Sequence, residues 1–106
     1  MNHQTTDFRN IKAYQLAKEL AKKLYRITHT FPDSERFGLT SQMQRAGVSV
    51  ASNLAEGSAR PTRREFARFA YISLGSAREI EFQLEMSHWL GYITDEKYQE
   101  VNDLLN

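Results

Sequence analysis

The stretch PTRREFARFAYISLGSAREIEFQLEMSHWLG, residues 61–91, reads as one long helix. Thr62 and Glu65 form a Thr-x-x-Glu capping box immediately ahead of Phe66. Phe66, Ala70, Ala77, Ile80 and Leu84 follow at helical spacing, and Gly91 supplies the stop. Together they predict a helix of about 28 residues, roughly 40 Å at 1.5 Å per residue. A rod of that length needs other helices along it to cover its apolar stripe.

The rest of the chain supplies them. NIKAYQLAKELAKKLYRITHTF places Ile11, Tyr14, Ala17, Leu20, Ala21, Leu24, Ile27 and Phe31 on one stripe, and Pro32 ends it. FPDSERFG reads as a loop. LTSQMQRAGVSVASNLAEG sets Leu39, Met43, Ala46, Val50 and Leu54 on a second stripe, and Gly57 sits where a left-handed C-terminal cap is expected. Ala46, Gly47, Ser49, Ala51 and Ser52 keep its other faces thin, so neighbouring backbones can come close. Thr94 caps a last helix, with Asp95 and Glu96 favourably placed in its first turn and Tyr98, Val101 and Leu105 as its stripe. Nothing reads as a strand. Four helices joined by short loops predict an all-α, antiparallel up-down four-helix bundle. The expected organisation is a disordered tail over residues 1–7 and a single domain over 8–106. The fourth helix has only about a dozen residues against about 28 in the third, so an incompletely covered groove should remain on the bundle, and self-association into a homo-oligomer is the simplest way to bury it.

Composition removes several functional classes. With no cysteine among 106 residues, disulfide scaffolds, thiol chemistry and thiolate-ligated zinc or iron–sulfur sites are excluded. No apolar run approaches the roughly 18–20 residues of a membrane span, and the polar start MNHQTTDF lacks the apolar core of a signal peptide. We therefore expect a cytoplasmic protein with no membrane partner. The net charge of +1 conceals an asymmetry. Residues 1–78 carry 13 Lys/Arg against 6 acids, or +7, while residues 79–106 carry Lys97 against 7 acids, or −6.

The central segment QMQRAGVSVASNLAEGSARPTRREFARFAYISLGSAREIEFQLEMSHWLGYI resembles a known family. Arg45-Ala46 leads a small-residue helix, followed by Asn53, Ala55, Glu56 and Gly57, an arginine-rich turn, Phe66 and Phe69. Gly75-Ser76, Glu79, Glu81 and Leu90-Gly91-Tyr92 complete the pattern. It resembles the small bacterial proteins encoded within intervening sequences of 23S ribosomal RNA genes, over nearly the whole chain from about Phe8. The resemblance implies an antiparallel four-helix bundle, in some members assembled as pentameric rings or barrels. A relative, the accessory protein of diversity-generating retroelements, has a basic surface and works with a reverse transcriptase and nucleic acid. No enzymatic activity is attached to the family, and the last helix here looks shorter than usual.

Several groups are candidates for a site. Arg60, Arg63, Arg64 and Arg68 crowd the start of the long helix, where cations are mildly disfavoured by about 0.3–1 kcal/mol each. With Arg45 and Lys12, Lys18, Lys22 and Lys23 they could make a broad positive surface for RNA or DNA phosphates. An anion seated between the arginines and the helix end would remove the conflict. The competing reading pairs them with acids: Glu56, Glu65, or Glu79, Glu81 and Glu85 of a neighbouring subunit. An exposed, acid-free patch favours nucleic acid; burial against those glutamates favours a protein-interaction module. Asn53 and Glu56, three residues apart near a helix end, read as a structural polar network, with Arg45, Arg60 or Arg78 as partner for the carboxylate. Glu85-Met-Ser-His88 has the Glu-x-x-His spacing of di-iron bundles, but it is only half a ligand set, so no metal, cofactor or catalytic residue is expected. Gly75 and Ser76 should face Gly47, Ser49 and Ala51. Tyr71, Phe82, Trp89 and Tyr92 read as core and interface.

Overall fold

The computed structural model describes residues 11–106. The tail expected over residues 1–7 lies outside them. Four helices follow in order: α1 (Lys12–Thr28), α2 (Leu39–Ser58), α3 (Arg63–Trp89) and α4 (Asp95–Leu105), with a short 3-10 turn at Asp33–Glu35 between α1 and α2. The bundle is 49 × 24 × 17 Å. Among the described residues there is no strand, and no helix is long and apolar enough to cross a membrane.

Neighbours run antiparallel. Gln44 of α2 donates to the Thr28 hydroxyl at the end of α1, at 3.1 Å. Further along, Ser76 meets Ser49 at 2.8 Å and Ser73 donates to the Val50 carbonyl at 2.8 Å, joining α3 to α2. α4 lies between α1 and α3, with Lys23 on Glu100 at 2.7 Å and the His88 ring stacked on Tyr98 at 4.7 Å. Leu24, Met43, Ile80, Leu84 and Val101 are fully buried, so all four helices feed one core.

The caps follow the sequence closely. Thr62 accepts from the Glu65 backbone N–H at 3.2 Å, and its hydroxyl donates to the Glu65 carboxylate at 3.0 Å. Thr94 accepts from Lys97 N–H at 3.1 Å, and Gly91 turns the chain with φ +81°. α1 stops at Thr28 rather than running to Pro32, and its Thr28 hydroxyl donates back to the Leu24 carbonyl at 2.7 Å. Phe31 is buried all the same, its ring 5.2 Å from that of Tyr92. Tyr92 in turn donates to Glu35 at 2.8 Å. That bond, together with partial burial and the nearby carboxylate charge, holds the phenol above its ordinary pKa.

Two glycines depart from expectation. Gly57 is no left-handed cap: α2 continues through it to Ser58. Its role is close approach, because a Cβ there would lie 2.8 Å from Phe69 Cβ and 3.3 Å from the Phe66 carbonyl. Gly75 does not face the small stripe of α2 at all, and a Cβ there would meet nothing within 4 Å. Of that stripe, Ser49 faces Ser76 of α3, whereas Gly47 faces α1, where a Cβ would come within 2.8 Å of Leu24 Cδ1.

Hydrogen bonding to Lys23, and secondarily its charge and that of Lys97, hold the Glu100 carboxyl below its ordinary pKa. A depressed folded-state value contributes stability above the unfolded pKa, and that contribution fades as pH falls through the folded value. Thermal melts on acidification from about pH 5 should therefore show a loss in the wild type that is smaller in Glu100→Gln. Parallel pH profiles for the two proteins would contradict this role for the Lys23–Glu100 pair.

α4 has 11 residues against 27 in α3. An open apolar cleft of about 290 Å³ lies among the four helices, walled by Leu16, Leu20, Leu54, Ala70, Leu74 and Leu105. This is the expected uncovered groove.

Candidate nucleic-acid interface

The turn between α2 and α3 sets the geometry of the arginines. Arg60 leaves the end of α2 and folds back, its guanidinium 2.8 Å from Glu56 and 4.8 Å above the Phe69 ring centroid. Its Nε atom is buried without a hydrogen-bond partner. Arg60 is thus held as a brace between α2 and α3, and it answers which partner Glu56 has. Asn53 acts separately, donating to the Ser49 carbonyl at 2.8 Å and to its hydroxyl at 3.0 Å. The two residues share a helix end but hydrogen-bond to different groups.

Arg63, Arg64 and Arg68 behave differently. All three are exposed on the first turns of α3, and among the described residues none has an ion-pair partner. Glu65, the acid beside them, is engaged by Thr62. A helix N-terminus favours an anion, and here Thr62 already takes one of its N–H groups, that of Glu65. Exposed Lys12, at the start of the antiparallel α1, lies at this end of the bundle.

The wider basic surface does not assemble. Arg45 lies 12 residues before Gly57 on α2, about 18 Å away at 1.5 Å per residue, in a cleft it shares with Gln42, Ser49, Ser76 and Glu79. Lys22 and Lys23 sit on Glu19 and Glu100, at 3.5 and 2.7 Å. The structure therefore gathers Arg60, Arg63, Arg64 and Arg68 and leaves Arg45 apart. Nothing in the helical spacing announces the Arg60–Phe69 contact, because it joins residues on two sides of a turn.

The aromatic residues divide in the same way. Tyr92 is half-buried against Phe31, whereas Tyr71, Phe82 and Trp89 are 75%, 63% and 79% exposed, outside the core of the single chain. His88 pairs with Asp95 rather than with Glu85, and no group of three or more His, Cys, Asp or Glu among the described residues is arranged for a metal.

Residues 9–106 match the profile of the 23S rRNA-intervening sequence proteins. The chain belongs to that family. The fold agrees with a solved relative, the crystal structure of a protein of unknown function from the S23 ribosomal protein family of Bacteroides thetaiotaomicron. The two superpose with a TM-score of 0.79 at 26% identity, over 88% of this chain and 87% of the other. No curated protein matches the sequence. In this 23S rRNA-intervening sequence protein, Glu56 and Gly57 thus serve to join α2 to α3. Gly57 admits the α3 phenylalanines and Glu56 anchors Arg60.

Proposed function

We propose that this chain is a non-enzymatic binding protein, acting as a homo-oligomer, that contacts RNA or DNA phosphates through the arginine end of α3. Arg63, Arg64 and Arg68 make the contacts, with Lys12 beside them and Arg60 bracing the turn that presents them. One observation supports this above the rest. Three exposed arginines stand around a helix N-terminus without ion-pair partners among the described residues, and the single carboxylate of Glu65 beside them relieves their mutual repulsion only in part. Phosphates complete that relief. The fork geometry of arginine suits them better than a lysine would.

The test compares wild type with Arg63→Glu/Arg64→Glu for binding to a labelled structured RNA and a DNA of equal length at low salt. Saturable binding by the wild type that falls by roughly tenfold or more in a folded variant of unchanged oligomeric state supports the reading. No binding by the wild type at low salt overturns it.

A second reading has its own observation. Glu79 and Glu85 are exposed on the same helix and have no ion-pair partner among the described residues. If they receive a neighbour's arginines, the chain is a protein-interaction module. The same variant would then fall apart into smaller species.

A further inference from the structure

At the opposite end of the bundle from Arg63 and Arg64, the connection between α1 and α2 lines a cavity of about 650 Å³. The whole of α2, 20 residues or about 30 Å of helix, separates the two ends. The connection is anchored from behind. Glu35 accepts from the Leu39 backbone N–H at 3.2 Å and from the Tyr92 hydroxyl at 2.8 Å. Two residues beyond that anchor stands Phe37, 88% exposed, the most exposed large apolar side chain among the described residues. The Arg36 guanidinium lies 5.5 Å from the centroid of its ring, and at that exposure the other face of the ring is open. A loop fixed by its scaffold that holds an aromatic ring in water is the arrangement of a binding loop.

The rest of the wall is polar, with His29, Asp33, Thr40 and Ser41 beside Arg36 and Phe37. Arg36 and Asp33 have no ion-pair partner among the described residues. An apolar partner would cover these groups without satisfying them. A flat heterocycle carrying a phosphate uses them all, and the cavity lies within the roughly 300–1,000 Å³ of small-ligand sites. We propose that this cavity takes an unpaired nucleotide, its base stacked on the open face of Phe37 and its phosphate on Arg36. Every base has a face that can stack on such a ring. A guanidinium over a ring keeps edge N–H groups free for phosphate. The Thr40 and Ser41 hydroxyls donate to base or sugar acceptors, and Asp33 accepts from base N–H groups or sugar hydroxyls. The site goes beyond the phosphate contacts at the arginine end and does not rest on them. Phosphates are offered by any strand, paired or not, whereas a base reaches Phe37 only when it is unstacked.

The experiment titrates the purified full chain with a labelled single-stranded RNA, with a blunt duplex of the same sequence and with AMP. Wild type is compared with Phe37→Ala and Phe37→Trp, with circular dichroism on all three. Phe37 lies outside the core, so neither variant disturbs it. Single-strand affinity should fall by roughly tenfold in Phe37→Ala, persist in Phe37→Trp, and leave duplex binding unchanged in both. Arg63→Glu/Arg64→Glu should instead weaken single strand and duplex alike, so the two surfaces fail separately. AMP bound as tightly as the strand, with the same dependence on Phe37, supports the cavity and assigns it a free nucleotide. Equal single-strand affinities in wild type and Phe37→Ala overturn the inference and leave the arginine reading untouched. An equal loss on the duplex overturns it as well, since Phe37 would then belong to a general contact. A wild type that binds neither single strand nor AMP overturns it outright.

Discussion

Leu84→Ala should lower the stability of this bundle by about 2–5 kcal/mol. Leu84 is fully buried and belongs to the same core cluster as Leu24, Met43, Ile80 and Val101, so shortening it opens a space that all four helices line. The loss combines the transfer free energy of the deleted carbons with the contacts their neighbours forfeit. For a domain of this size it should bring down the melting temperature by more than about 10 °C. Leu74→Ala is the matched control: its side chain is 47% exposed, and its removal should cost about 1 kcal/mol or less. Denaturant midpoints at constant m-value would decide the matter. Equal losses at the two positions would mean that the core is not centred where the four helices meet.

The second large effect concerns two glycines that look alike in sequence. Gly57→Val should destabilise by about 1–3 kcal/mol. Its Cβ would lie 2.8 Å from Phe69 Cβ and 3.3 Å from the Phe66 carbonyl, groups that move only if α3 moves. Gly75→Ala, where a Cβ meets nothing within 4 Å, should instead stabilise by up to about 1 kcal/mol, since a helix gains from losing a glycine. The opposite signs are the test. A gain at both positions would remove the close-approach role from Gly57.

These glycines show where sequence reasoning stops. Helix existence and polarity were readable because their signals are local. Thr62 and Thr94 cap within three residues, Gly91 reverses the chain at positive φ, and apolar spacing assigns each helix an inner stripe. Which neighbour a thin position faces is decided by how helices cross, which no local signal encodes. Hence Gly47 serves α1 and Ser49 serves α3, and Gly75 faces outward. The same limit governs the site. Arg64 and Arg68 share a face by helical spacing, and Arg63 joins them by its place at the helix start, so the cluster is legible in the sequence. Charge alone groups Arg45 with them, because a linear sequence carries no distance along the bundle. Arg60 looked like one more cation until its place between Glu56 and Phe69 made it a brace.

The claim that the arginine end of α3 binds nucleic acid is tested most directly by a salt titration. Dissociation constants for a labelled structured RNA would be measured across a range of salt, for wild type and for Arg63→Ala/Arg64→Ala. Each phosphate neutralised adds about 0.7–0.9 to the slope of log affinity against log salt. The account predicts a steep wild-type slope that falls by about 1.4–1.8 when both arginines are removed, with the fold and the oligomeric state unchanged. An identical slope in the two proteins would contradict it, and would leave those arginines with no part in binding.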